Sequence, residues 1–231
     1  MSTASRAVDP ATSTMISLVG SLADNKSALG RRYGEWAVSA PTIESAVAAA
    51  AMAQDELGHA RSTYPVLAKL GVERDDAGLD AGHPLGVIAR ELPDWASFIA
   101  ANLVVDGVLT TFVAGTRESS IEPLAQRARK ILQEEGAHKV HAEAWARRMV
   151  RAGGDDLELL HRRVEEMWAS AGRWPGPQEH EGYQAATEAG MVTSRPDAIR
   201  AQVRDWLTPL LPGVTLAEPT EWSDWDEQYR R

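Results

Sequence analysis

The chain has 231 residues, 44% hydrophobic and 25% charged, with a formal charge of −9 and no cysteine. At this length one domain with a sizeable core is expected, and the acidic balance argues against general nucleic-acid binding. Without thiols there is no disulfide, thiolate nucleophile or sulfur metal site, so a metal would have to be held by oxygen and nitrogen, as suits iron or manganese.

Alanine-rich segments and a scarcity of strand signals predict helix nearly throughout. The first helix is expected from about Thr14 to Val38. Ser39-Ala40-Pro41-Thr42 reads as a tight link in which Pro41 stops one helix and Thr42 caps the next. The second helix should run to about Leu70, with Gly71 placed for a C-terminal cap. Val72 to Pro93, rich in Gly, Asp and Pro, reads as a long crossover carrying at most one short helical piece. A third helix follows from about Asp94 to Gly115, and Ser119 and Ser120 are expected to cap a fourth that continues to Gly153-Gly154.

Asp155 to Ala171 predicts a fifth helix, which Gly172 to Pro177 breaks. Shorter helices are expected near Glu181 to Ala189 and from Pro196 to about Leu211. The acidic tail, Pro212 to Arg231, holds Trp222, Trp225 and Tyr229 without a helical period, and packs either on its own domain or on a partner. No apolar run is expected to approach the roughly 18 residues of a membrane span, and Met1 to Pro10 has no apolar signal core; a cytoplasmic protein is expected.

Chemistry concentrates in two Glu-x-x-His quartets, Glu56-Leu57-Gly58-His59 and Glu135-Gly136-Ala137-His138, on the second and fourth helices. Residues three apart on a helix share a face, so each quartet offers one oxygen and one nitrogen ligand to the bundle axis. Two such quartets, with one further acid from each of two other helices, form the pattern of ferritin-like di-iron carboxylate bundles, and the long crossover is the connection such a bundle needs. The expected fold is therefore all-α: a ferritin-like four-helix bundle with a C-terminal helical extension.

Antiparallel hairpins place residues equidistant from the turn at one height. Reflecting Glu135 across the turn near Ser120 lands on Asp106, the only acid in the apolar run from Ala100 to Ala114. Reflecting Glu56 across Pro41 lands on Lys26, where an acid would be needed. Glu35 lies about three helical turns from that height and should not reach the site.

Several segments together resemble the phenylacetic acid catabolic protein family, the ferritin-like subunits of the bacterial phenylacetyl-CoA ring 1,2-epoxidase. They are Leu29-Gly30-Arg31-Arg32-Tyr33 with Glu35-Trp36, Ala40-Pro41, the string from Ala53 through Asp55-Glu56-Leu57-Gly58-His59 to Arg61, and Glu134-Glu135 with His138, His141 and Trp145. The resemblance implies metal ligands at Glu56, His59, Asp106, Glu135 and His138, iron as cofactor, an aromatic acyl-CoA as substrate, and a separate reductase as electron donor. It also implies partners: a sister ferritin-like subunit, a further copy of the chain, or both. The family contains an iron-bearing catalytic subunit and a structural subunit without a working metal site, and this chain shares features with each. Asp106 stands where the catalytic subunit has glutamate, and Lys26 departs outright. The C-terminal half, from Met167-Trp168 to Thr215-Leu216, looks more like the structural subunit, whereas His59 is a residue commonly lost there.

Charge separates the alternatives. Four carboxylates neutralise two ferrous ions, but here Glu56, Asp106 and Glu135 supply three and a protonated Lys26 cancels one. The remainder suits one divalent ion, or none if Lys26 bridges the carboxylates itself. The alternatives are thus a monooxygenase component with an altered metal site and a scaffold whose vacant site is closed by Lys26; iron storage fits the sequence context poorly. Asp55 is either an acceptor for a ligand histidine or a solvated acid. His141 is read as a packing or exposed histidine and Arg31-Arg32 as a solvated face, with an acyl-CoA phosphate or an acidic neighbour as its alternative. His83, His161 and His180 carry no signal, and Trp36, Trp95, Trp145, Trp168 and Trp206 are read as core and interface residues.

Overall fold

A computed structural model describes residues 9–73, 82–223 and 225, and every secondary-structure element among them is helical. Helix α1, Pro10–Trp36, begins one turn earlier than the apolar period suggests, because Pro10 occupies a first-turn position and the Asp9 carboxylate accepts from the Thr12 N–H at 3.0 Å. The link through Pro41 falls where expected, and Thr42 caps α2, Ile43–Lys69, by accepting from Ser45 N–H at 3.2 Å. At the far end Gly71 takes φ +89°, and Val72 N–H reaches back to the Leu67 carbonyl at 3.0 Å, closing the helix through the left-handed residue that glycine adopts without steric penalty.

The crossover carries one short helix, α3, Gly86–Ala89; residues 74–81 of the predicted crossover lie outside the described residues. Asp94 caps α4, Trp95–Ala100, which widens into a π-helical segment, Ala101–Asp106, and returns to α-geometry as α5, Gly107–Gly115. From Trp95 to Gly115 this third bundle rod is 21 residues long and apolar enough to cross a membrane by length and composition, contrary to the expectation that no run qualifies. It is 78% buried over its most apolar window, as the core helix of a bundle is.

Helix α6, Glu122–Ala152, completes the second hairpin. The predicted caps differ: Ile121 occupies the capping position, Ser119 Oγ accepts from Ile121 N–H at 3.1 Å, and Ser120 bonds instead to the Ala189 and Gly190 carbonyls. Pro123 in the first turn removes a donor that a cap would otherwise satisfy. The extension comprises α7, Gly154–Ala171, α8, Glu181–Glu188, and α9, Pro196–Leu210. His180, silent in sequence, caps α8 through Nδ1, which accepts from Tyr183 N–H at 3.2 Å.

The described part of the tail packs on its own chain, in line with one of the two placements its composition allows. Trp168 Nε1 donates to the Ala217 carbonyl at 2.7 Å, Arg200 pairs with Glu218 at 2.7 Å, and Trp225 is buried with its Nε1 donating to the Arg173 carbonyl at 2.6 Å. Tyr229 lies outside the described residues.

Candidate functional site

Two local features bring the site together. On the first hairpin, Gly30 lets α1 and α2 approach closely: a Cβ there would stand 2.8 Å from Leu57 Cγ and 3.1 Å from the Ala53 carbonyl. Lys26, one turn before Gly30, and Glu56, beside Leu57, therefore face each other across a narrow gap. On the second hairpin the π-helical segment ends on Asp106 itself. Its extra residue per turn rotates the side chains relative to a regular helix, so the short aspartate is presented from widened backbone.

Mirror placement holds in both hairpins. Lys26 Nζ lies 2.5 Å from Asp106 Oδ1, 2.5 Å from Glu135 Oε1 and 3.1 Å from the Glu56 carboxylate, with all four residues almost completely buried. His59 Nδ1 is 3.3 Å from Glu135 and 3.6 Å from Glu56. His138 Nδ1 is 3.3 Å from Glu135 and 3.5 Å from both Glu56 and Asp106. All six candidate residues thus meet inside the bundle, and Glu35 is exposed on the outside, paired with Arg32 at 2.7 Å.

Outer nitrogens of the two imidazoles reveal a crosswise symmetry. His59 Nε2 on α2 donates to Glu134 of α6 at 2.8 Å, and His138 Nε2 on α6 donates to Asp55 of α2 at 3.3 Å. Each quartet is thus preceded by an acid that fixes the histidine of the other helix. The structure selects the acceptor reading for Asp55; Glu134 has no role in the sequence reading beyond its motif, although its place before Glu135 repeats that of Asp55 before Glu56. A carboxylate on the outer nitrogen orients the ring and leaves Nδ1 facing inward, the arrangement of a metal-ligating histidine. Neither inward Nδ1 has a well-aligned hydrogen-bond partner.

Charges in the cluster hold one another. Burial opposes the Lys26 ammonium, yet Asp106, Glu135 and Glu56 outweigh it and keep the amine well above its ordinary value. Burial likewise opposes ionisation of Glu56, but Lys26 brings its carboxyl down to about 2, and Glu135 is held well below the usual range by the same ammonium. Burial, with the negative Glu135 and Glu56 alongside, pushes Asp106 up to about 7. Burial works against both imidazolium ions as well; the adjacent carboxylates raise His59 to about 9 and carry His138 further in the same direction. Three cationic side chains therefore face three carboxylic acids.

Ligand atoms of Glu56, Asp106, Glu135 and His138 lie within 4.8 Å of one another, a spacing a metal ion could use. Tyr33, carried in the sequence only as part of a motif, is completely buried beside these acids, and burial followed by their charge lifts its phenol well above the ordinary value. His141 packs edge-on against Trp95 and Phe98, with ring centroids 6.0 and 6.1 Å away, in line with the packing reading.

A family model described as phenylacetic acid catabolic protein matches residues 1–231. The chain belongs to that family. Among curated proteins, this member of the family is 26% identical over 153 residues to one of the subunits of 1,2-phenylacetyl-CoA epoxidase from Escherichia coli (strain K12), a match covering 64% of this chain and 62% of that protein. The alignment therefore spans less than two thirds of the relative's length.

Proposed function

We propose that the chain is a component of a phenylacetyl-CoA epoxidase-type multicomponent monooxygenase in phenylacetate catabolism, and that its part there is structural: a ferritin-like subunit that supports an iron-bearing sister. The family match and the name of the curated relative support the first half of this reading. One observation carries the second. The Lys26 ammonium sits among Glu56, Asp106 and Glu135 at salt-bridge distance from each.

That ammonium sets the donor groups against iron. Inward-facing Nδ1 atoms and paired quartets are what an ancestral di-iron site would leave behind. Ferrous ions need these same carboxylate oxygens as ligands, and an ammonium bonded to all three carboxylates competes directly for them. Lys26 cannot serve as a ligand while protonated, and the surrounding charge keeps it so. Nor is a cation wanting: Lys26 and the two histidines, whose imidazolium forms the adjacent carboxylates favour, already supply positive charge to Glu56, Glu135 and an Asp106 pushed up to about 7. The residues present do not fit two ferrous ions, and no step of oxygen chemistry falls to them.

Keeping the ion cluster preserves the bundle without a metal. Each buried charge would be costly alone, and each is matched. In this reading an acyl-CoA substrate and a reductase belong to the assembled complex, and turnover belongs to the sister subunit. The alternative, a catalytic component with an altered metal site, is favoured by the retained His59 and His138. Metal analysis of the chain purified from iron-replete cells separates the two. The structural reading expects far less than one iron per chain, and two irons per chain would end it.

A further inference from the structure

The ion cluster is not sealed on all sides. A cavity of about 220 Å³ opens beside it, with Asp106 and Glu135 in its wall, Asn102, Thr110 and Thr111 along the rod from α4 to α5, and Lys139 and Trp206 completing it. Asp106 and Glu135 are the two acids that hold Lys26 at 2.5 Å, so this cavity leads directly to the buried charges. Its lining combines hydroxyl, amide and carboxylate groups with Leu132 and the Trp206 ring, so water and small cations entering it find polar partners at its acidic side.

Trp206 is supplied from outside the bundle, by α9 of the C-terminal extension, and three contacts set its indole. Its Nε1 donates to Glu143 at 2.7 Å. The Lys139 ammonium stands 4.5 Å from the ring centroid, and Gly107 receives the ring edge so closely that a Cβ there would lie 2.9 Å from Cζ3. Gly136 of α6 also lines the cavity, and a Cβ added there would meet no atom within 4 Å. A large flat ring seated in a glycine notch, in a cavity with unfilled space at Gly136, forms a wall that a side-chain rotation would open without unfolding a helix.

We propose that Trp206 is a gate: the C-terminal extension uses its indole to control passage of water and small cations between solvent and the carboxylate side of the Lys26 cluster. What lies beyond the gate rests on the function proposed above; the gating itself does not. Release would follow loss of the Glu143 bond or a push from the Gly107 side.

Because the chain has no cysteine, one introduced thiol reports access without background. Thr110→Cys lies on the gated cavity, and Ser62→Cys lies on a separate pocket of the α2/α6 surface beside His59. Rates of modification by methyl methanethiosulfonate are measured for each, alone and combined with Trp206→Ala or with Gly107→Ala, whose added methyl displaces the ring while leaving it present. The gate predicts at least about a tenfold faster reaction at the thiol introduced at position 110 in both combinations, with the thiol introduced at 62 changing less than about twofold. Unchanged rates at 110 would overturn the gate, and so would equal acceleration at both positions, which marks general loosening. Iron content, read separately on the same preparations, tests the structural-subunit reading and leaves the thiol result unaffected.

Discussion

The two hairpins of the bundle reach the same point by different means. The first, α1 with α2, is drawn together at the site from within, since Gly30 lets the helices approach and the corner opposite Glu56 is a lysine, although Trp174 beyond α7 also donates to Ser21 of α1 at 2.9 Å. The second, α4 to α5 with α6, is braced from outside: Arg163 of α7 clamps Asp94 at 2.7 Å, Trp206 of α9 fits against Gly107, and the corner opposite Glu135 is an aspartate delivered by a π-helical segment. Position in the bundle is thus shared by the two hairpins, while charge is not. A scaffold that places four side chains at one depth can host a metal or an internal ion pair, and the sign at a single corner selects between them.

Replacing that corner should have the largest effect. Lys26→Ala leaves three buried carboxylates facing two imidazoles, and should destabilise the fold by about 3–5 kcal/mol, as broken buried pairs do. Urea unfolding of the two proteins measures it; superimposable curves would remove Lys26 from the account. Lys26→Glu makes the hairpins alike in charge. It should also lower stability in the absence of metal, while raising affinity for ferrous or manganous ion at least about tenfold, a gain of roughly 1.4 kcal/mol. Calorimetric titration under anaerobic conditions reads this, and no gain over the parent would mean that the ligand geometry has drifted.

Close approach within the first hairpin gives the next effect. Gly30→Ala forces a methyl into Leu57 and the Ala53 carbonyl and should cost about 1–3 kcal/mol. Gly58→Ala, on the same hairpin but with nothing within 4 Å, should instead stabilise by roughly 0.5–1 kcal/mol, since glycine is a poor residue for a helix interior. Thermal unfolding distinguishes these opposite signs, and two shifts of the same sign would contradict the packing described for Gly30.

The external brace of the second hairpin should give the smallest change. Burial of Asp94 raises its carboxyl, but Arg163 and Ser97 more than offset this and hold it below the usual 3.8. A depressed carboxyl contributes stability that is fully present above its unfolded value and is lost as pH falls through the folded one. Arg163→Ala should therefore weaken the fold slightly at neutral pH and flatten the loss of stability below about pH 4. An unaltered acid limb in the unfolding profile would show that the pair contributes nothing.

The sequence allowed the meeting of these residues to be anticipated because reflection across Pro41 and Ser120 needs only helical rise and turn position. Thr42 and Gly71 marked helix α2 through side-chain and backbone chemistry local to each end. The π-helical segment had no such local sign: Ala101 to Asp106 is an ordinary apolar stretch, and its widened geometry belongs to packing against other helices. Glu134 was read only as part of its motif, because nothing local to it shows that it faces His59 on another helix. Trp206 could be read only as a core or interface residue, since its glycine notch and its Glu143 acceptor come from different bundle helices. The tail was undecided for the same reason, with Trp225 meeting the Arg173 carbonyl through contacts that no periodicity encodes.

The central claim is that an ammonium ion occupies the heart of this bundle, and nitrogen-15 NMR of the lysine side chains addresses it directly. The account predicts one Nζ resonance, lost in Lys26→Arg, whose protons exchange slowly with water and which stays that of a protonated ammonium from about pH 6 to 10 and on addition of ferrous ion. A Lys26 signal that exchanges as fast as surface lysines, or that disappears as iron binds, would contradict it.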